Sequence, residues 1–259
     1  MALITFDLDG TLQQNPFRTG VWPSIGAALA PACLRHFPDT PLEEAPRRVI
    51  ALVRAEFRRR QEAQQWEAAY DWDDIVASVA AALGHRDERP DVVALVRRHC
   101  TPEHIAALPG ARACLAELRA AGHTLKVATN GFAAYQEPVL EALDLLEFFS
   151  DVLTPDRCHT AKPIPEFLLA AGAPPALHVG DSLVHDTYGA RQAGFASIWY
   201  WPRLTSVTDA AVVEAGLAAR FAEEAAWVPT GGLTLEQCRP DFVARDLAAV
   251  PGIVAAWAG

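Results

Sequence analysis

Apolar and polar positions along this chain follow two different rhythms, and the change between them divides it. A short β-favouring run, Leu3–Phe6, breaks off into Asp7-Leu8-Asp9-Gly10-Thr11. From Gln13 to about Leu108 the apolar residues then recur almost wholly at helical spacing. Val49, Leu52, Val53 and Phe57 predict a long helix over Leu42–Gln65. Asp71 reads as the N-cap of a second helix through Ile75, Val76, Val79 and Leu83, which Gly84 ends. Val92, Val93, Leu95 and Val96 place a third over Pro90–Cys100.

After Pro109-Gly110 the rhythm alternates. A helix over Ala111–Ala121 ends at Gly122, Thr124–Thr129 reads as a strand, and Val139, Leu140, Leu143 and Leu146 mark the next helix. Strands follow at Asp151–Leu153, Ala176–Val179 and Phe195–Tyr200, separated by helices at Pro165–Ala171 and Thr187–Ala193. Strands alternating with helices specify a parallel sheet with right-handed crossovers. The expected fold is therefore α/β, a Rossmann-like parallel sheet flanked by helices, with an all-helical block inserted after the first strand. That block would sit over the carboxyl edge of the sheet as a lid. Beyond Tyr200 the pattern weakens to an alanine-rich helix over Asp209–Trp227, a short strand at Asp241–Ala244 and a helix over Leu247–Trp257. No chemistry is assigned there; packing or a subunit contact is the expectation.

Composition narrows the setting. The chain has 259 residues, of which 51% are hydrophobic, enough for a sizeable core. A net charge of -10 disfavours nucleic acid or an anionic membrane as partner. An anionic substrate must then be drawn in by a metal or by placed cations. Five scattered cysteines (Cys33, Cys100, Cys114, Cys158, Cys238) without a CxxC pair suit reduced thiols, and no signal peptide or 18-residue apolar stretch is visible. A soluble, cytoplasmic protein is expected. The pattern specifies no oligomeric state.

Four stations carry candidate chemistry, each at the end of a strand or the start of a helix. The first is Asp7 with Asp9, two carboxylates leaving the edge where open α/β sheets bind ligands. Such close like charges call for a compensating cation, and a hard divalent ion, Mg²⁺ for preference, suits oxygen ligands. The second is Thr129-Asn130-Gly131, where free backbone N–H groups at a helix start make an anion site. Lys162 in Lys162-Pro163-Ile164-Pro165 is the third. The fourth is Gly180-Asp181-Ser182-Leu183-Val184-His185-Asp186. Each alone has a bland reading as a turn or a cap; their ordered recurrence does not.

The DxDGT stretch, followed in order by Thr129, Lys162 and the acidic loop at Asp181, resembles the four-part signature of the haloacid dehalogenase superfamily, over a core from Met1 to about Trp201. The insertion after the first motif is similar to the cap of its dehalogenase-like and phosphoglycolate-phosphatase-like branch. The resemblance implies a core of residues 1–12 and 109–259 and a helical cap of residues 13–108. It further implies Asp7 as the nucleophile that becomes an aspartyl-phosphate, and Asp9 as general acid and then base. Thr129, Asn130 and Lys162 would hold the phosphoryl group. Mg²⁺ would be bound by Asp7, the main-chain carbonyl of Asp9 and Asp181, with Asp186 in or near that set. His185 departs from the small polar residue frequent at its place and is expected to be a neutral helix-start histidine.

Asp9 favours phosphate monoesters over haloacids, since a halide leaves without a proton. The absence of lysine between Gln13 and Leu108 argues against phosphonate cleavage through a Schiff base. A Mg²⁺-dependent phosphatase of small phosphorylated metabolites is the leading expectation. A sugar phosphomutase and a non-catalytic phosphate-ligand sensor on the same fold stay open. The order of motifs and the long insertion disfavour a receiver domain. Arg18 and Thr19 are placed to reach the leaving group. Arg47, Arg54 and Arg58 could share a helix face toward an anionic substrate, although a solvated face is the expectation. Trp22, Trp66, Tyr70 and Trp72 are expected in the core before any stacking role.

Overall fold

The computed structural model describes residues 1–85, 89–226 and 231–258. Strand β1 (Leu3–Phe6) leads through β2 (Gln13–Gln14) into helices α1 (Trp22–His36), α2 (Ala45–Glu62), α3 (Trp72–Ala82) and α4 (Val92–Arg98). The chain returns through β3 (Ala106–Ala107), antiparallel to β2. Then follow α5 (Ala111–Ala120), β4 (Thr124–Ala128), α6 (Ala133–Ala142), β5 (Val152–Leu153), α7 (Pro155–Cys158), α8 (Pro165–Leu169) and β6 (Ala176–Gly180). The last elements are α9 (Gly189–Gln192), β7 (Ala196–Tyr200), α10 (Ala210–Ala225), β8 (Phe242–Ala244) and α11 (Val250–Ala258).

Six strands form one parallel sheet in the order β5-β4-β1-β6-β7-β8. β1 is central, and its apolar residues Ile4 and Phe6 are fully buried. One face packs on α5 and α11 through Leu115, Leu118, Val250 and Val254. The other face meets Phe167, Leu168 and Ala190. The four inserted helices enclose a further apolar cluster, built from Ile25, Leu29, Val49, Val53, Ile75 and Val96 among others, which Tyr135 and Val139 of α6 join. Among the described residues, no helix is long and apolar enough to cross a membrane.

Helix ends follow local chemistry. Asp71 accepts from Asp74 N at 3.0 Å and opens α3, and Gly84, at φ 75°, follows its last turn. The helix expected over Leu42–Gln65 is shorter, beginning at Ala45 with Pro46 in its first turn. The one expected over Pro90–Cys100 begins at Val92, because Asp91 takes the N-cap and accepts from Ala94 N at 2.8 Å. The helix expected from Thr187 is split into a wide turn over Leu183–Tyr188 and α9. Trp227, where the helix from Asp209 was expected to end, lies outside the described residues. The β2–β3 ribbon at the two roots of the inserted block has no counterpart in the sequence pattern, since two-residue strands leave no periodicity to detect.

Candidate active site

Strand register brings the distant stations together. Phe6 aligns with Val127 on one neighbour and Val179 on the other. Asp7, Thr129 and Asp181 therefore emerge within two residues of one line across the carboxyl edge. They line a cavity of about 480 Å³ together with Asp9, Asn130, Lys162 and Asp186. Its roof comes from the helical block, with Arg18, Trp22, Phe57, Tyr70 and Trp72.

Lys162 ties the floor together. Its Nζ lies 2.7 Å from Asp7 Oδ1 and 2.6 Å from Asp186 Oδ1, and its side chain is 2% exposed. Burial alone would lower the lysine pKa, but Asp186 and Asp7 hold it above the ordinary value. Burial likewise opposes a charge on Asp186, yet Lys162 and His178 keep that carboxyl well below the usual range. His178 Nε2 is 3.1 Å from Asp186 Oδ1 and its Nδ1 is 2.7 Å from Thr5 Oγ1, contacts satisfied by the neutral Nε2–H tautomer. Ser182 N donates to Asp186 Oδ2 at 2.9 Å. A Cβ on Gly180 would come within 2.2 Å of the Asp186 carboxyl carbon, so only glycine lets that side chain fold back under the loop.

Two carboxylates thus share one ammonium, and Asp186 carries the charge. Burial, countered in part by Lys162, raises Asp7 to about 7. Burial also raises Asp181 well above the carboxylate range, with Arg220 opposing. One oxygen from each of Asp7, Asp181 and Asp186 falls within 4.8 Å of the others. An all-oxygen set that is short of positive charge fits a hard divalent cation. Gly10, at φ 89°, makes room beside it: a Cβ there would stand 2.9 Å from Asp181 Oδ2.

Asp9 is held from two sides. Gln136 Nε2 donates to its Oδ2 at 2.7 Å and Gln13 Nε2 to its Oδ1 at 3.2 Å. Burial raises its pKa, with the Gln136 bond opposing. The Asp9 side chain stands outside the three-carboxylate cluster. Thr129 is buried, its hydroxyl accepting from Gly131 N at 3.2 Å. The side chain of Asn130, expected to face phosphate, is instead engaged with protein. Its Oδ1 accepts from Lys162 N at 2.8 Å, and its Nδ2 donates to Lys162 O at 2.9 Å and to Tyr70 OH at 2.7 Å. It clamps the loop that presents Lys162, whose bond to Pro163 is cis.

The segment after Tyr200, to which no chemistry was assigned, reaches the site. Arg220 on α10 lines the cavity and donates from Nη2 to Asp181 Oδ2 at 3.0 Å. Its Nε lies 2.7 Å from Glu224 Oε1, an ion pair without hydrogen-bond alignment. Glu224, 1% exposed, accepts from Ser182 Oγ, Leu183 N and Val184 N at 2.8, 2.8 and 2.9 Å. α10 therefore grips the acidic loop. Its sequence signal was slight, an Arg and a Glu four apart on an alanine-rich helix. Gln13, Gln136 and His178 carried none, and Tyr70 was expected only as a core aromatic.

Arg18 lines the cavity, whereas Thr19 is exposed and hydrogen-bonded to His104 Nδ1 at 3.0 Å, outside the lining. Trp22, Tyr70 and Trp72 line it while packing on one another and on Phe57. The Trp22–Trp72 ring centroids are 4.9 Å apart and those of Phe57 and Trp72 5.1 Å. Trp66 lies away from the cavity, beside His159. His185 sits in the turn after Ser182, whose Oγ accepts from its N–H at 2.9 Å, and burial lowers its pKa to about 4.

Known proteins share this arrangement of chain. A family model described as haloacid dehalogenase-like hydrolase matches residues 1–194. The "Probable phosphatase IndB" of Dickeya dadantii is 30% identical over 210 residues, covering 76% of this chain and 79% of its own. A phosphoglycolate phosphatase of Caulobacter vibrioides is also 30% identical over 210 residues, covering 76% and 78%. Among solved structures, a HAD phosphatase from Thermococcus onnurineus aligns with a TM-score of 0.66 over 98% of both chains at 22% identity, a likeness of fold.

Proposed function

The chain belongs to the haloacid dehalogenase-like hydrolase family, and we propose that this hydrolase is a Mg²⁺-dependent phosphatase of small phosphomonoesters acting through an aspartyl-phosphate. The observation that carries the reading is Lys162, buried between Asp7 and Asp186 at the centre of the carboxylate cluster. A buried ammonium beside a carboxylate raised to about 7 describes a nucleophile kept ready for ionisation.

In this reading residues 13–108 are the cap and residues 1–12 with 109–259 the catalytic core. Asp7, Asp181 and Asp186, with the main-chain carbonyl of Asp9, would hold the cation. Bound Mg²⁺ would supply the positive charge that keeps Asp7 and Asp181 ionised beside a phosphate dianion. Asp7 attacks phosphorus in line, and the P–O bond to the leaving group breaks. Asp9, protonated at the outset, gives its proton to the departing oxygen. The ester leaves as an alcohol, and Asp7 carries the phosphoryl group. Asp9 then takes a proton from water attacking the same phosphorus, which releases inorganic phosphate and restores both carboxyl groups. The two glutamines on Asp9 aim it, and its raised pKa suits a group that must both give and accept a proton. Lys162 and the Thr129 hydroxyl offset charge on the phosphoryl oxygens.

The five cysteines are all unbridged, which supports a cytoplasmic setting. The deciding experiment measures phosphate release across sugar phosphates, nucleotides and phosphoglycolate with and without EDTA. The expected result is metal-dependent turnover, lost by at least about 10³-fold in Asp7→Asn and in Asp9→Asn. Normal hydrolysis by pure Asp7→Asn protein would overturn the mechanism.

A further inference from the structure

A second concavity, of about 750 Å³, lies on the helical block between α1 and α2. Arg47, Arg54 and Arg58 of α2 line it with Arg18, over an apolar floor that includes Trp22 and Ile50. At a rise of about 1.5 Å per residue these α2 positions spread guanidinium groups along about 16 Å of one helix face. Glu62 is the one carboxylate in the lining.

Several arginines of the molecule are neutralised by carboxylates, as in Arg60–Asp74, Arg157–Glu137, Arg203–Glu223 and Arg239–Glu214. Arg59, which also lines the groove, is held by Glu56 at 2.8 Å, whereas among the described residues Arg18, Arg47, Arg54 and Arg58 form no ion pair, and Arg58 donates to Ala226 O at 3.2 Å. In a chain of net charge -10, four such cations around one apolar floor form a local attractor for anions. A merely solvated helix face would have neither the concavity nor the floor. Arg18 and Trp22 line both this groove and the catalytic cavity, so the two spaces meet at a common wall.

We infer that the groove is a second subsite for the far end of the leaving group, and that the substrate is an elongated organic phosphate with at least one further anionic group. The inference rests on the phosphatase reading for its first anchor at Asp7. Guanidinium forks recognise phosphate or carboxylate oxygens in pairs, and the floor accepts the organic body between the two anionic ends. The shared wall favours a small molecule spanning both spaces over an acidic protein segment lying on the groove alone.

The test uses a straight-chain alkanediol bisphosphate, the matching hydroxyalkyl monophosphate and p-nitrophenyl phosphate. Titration calorimetry on Asp7→Asn protein reads binding, and kcat/KM on wild type with Mg²⁺ reads turnover. The bisphosphate is expected to bind, and to be turned over, at least about tenfold better than the monophosphate. Arg54→Gln/Arg58→Gln removes that preference through KM and leaves p-nitrophenyl phosphate within about twofold of wild type. A binding preference without turnover of any ester supports the subsite and overturns the phosphatase reading. Turnover of all three with no preference overturns the subsite alone. Retention of the preference in the double variant overturns it too. So does binding of poly-glutamate at the arginines with no gain from the second phosphate, which makes the groove a protein-docking surface.

Discussion

The Arg220 guanidinium donates to the Asp181 carboxylate at 3.0 Å, from a helix that follows the last shared motif of the chain. A divalent cation reaching Asp181 must share that carboxylate with a fixed positive charge. Arg220→Gln is therefore expected to bind Mg²⁺ about tenfold more tightly, a change of about 1.4 kcal/mol, because competition and repulsion are both removed. Titration calorimetry with Mg²⁺ on the two proteins checks this. Weaker binding by the variant would show that the arginine organises the cation site and does not compete for it.

Glu224 is expected to matter for stability more than for chemistry. Its buried carboxylate satisfies one hydroxyl and two backbone N–H groups of the 182–184 loop. Glu224→Ala strands these donors and removes the nearer of the two glutamates that Arg220 meets on its own helix, a loss of about 3–5 kcal/mol by analogy with broken buried pairs. Urea denaturation measures the loss. Hydrogen exchange at Leu183 and Val184 should accelerate at the same time, whereas a purely surface role for α10 leaves both unchanged.

The legible parts of the site share a property. Asp7, Thr129 and Asp181 each stand where an apolar run stops, so an ordinary strand ending announces them, and parallel register then aligns them. Lys162 is marked by the prolines that fix the next helix. Arg220, Gln136 and His178 sit inside regular elements, where a functional side chain and a structural one look alike. Gln136 meets Asp9 across 127 positions, and Arg220 meets Asp181 across 39. No local spacing encodes such contacts; only the docking of helix on sheet creates them. Asn130 shows the converse: its motif was visible, but the amide is engaged by the Lys162 backbone and Tyr70.

Gln136 is expected to tune Asp9. Its donated N–H opposes the rise in the Asp9 pKa caused by burial. Gln136→Leu removes that opposition, so Asp9 keeps its proton more firmly and becomes a weaker base for the water step. A fall in kcat of about 10–100-fold with little change in KM is the expected outcome, with the acid limb of the kcat–pH profile moved upward. A change confined to KM would place Gln136 in substrate binding.

Lys162 is expected to couple folding to activity. Lys162→Met removes the cation buried between Asp7 and Asp186, and the Asp186 charge then has only neutral donors. Breaking a buried pair of this kind costs about 3–5 kcal/mol. Added Mg²⁺ should restore part of the lost melting temperature, because it supplies charge to the same carboxylates, while turnover stays below about 1% of wild type. Wild-type turnover in the variant would remove Lys162 from the reaction.

Acid sensitivity offers a check on His185. Burial lowers its folded pKa to about 4, against an ordinary value of 6.5. Between those values the unfolded chain holds more protons at residue 185 than the folded one, so this group makes stability rise with pH. Its contribution is complete above about 6.5 and is lost as the pH falls toward about 4. Asp7 acts in the opposite sense: its raised pKa makes stability fall as the pH climbs from about 4 to about 7. Wild-type melting curves alone therefore mix opposing slopes from these and other buried groups, among them Asp9, Asp181, His178 and Asp186. His185→Gln keeps Asp7 and removes the imidazole, so the difference between the two proteins isolates the histidine. The melting-temperature difference, wild type minus variant, should be constant above pH 7 and decline steadily on acidification from about 6.5. Parallel curves down to pH 4 would mean that the imidazole is protonated as easily in the folded chain as in the unfolded one.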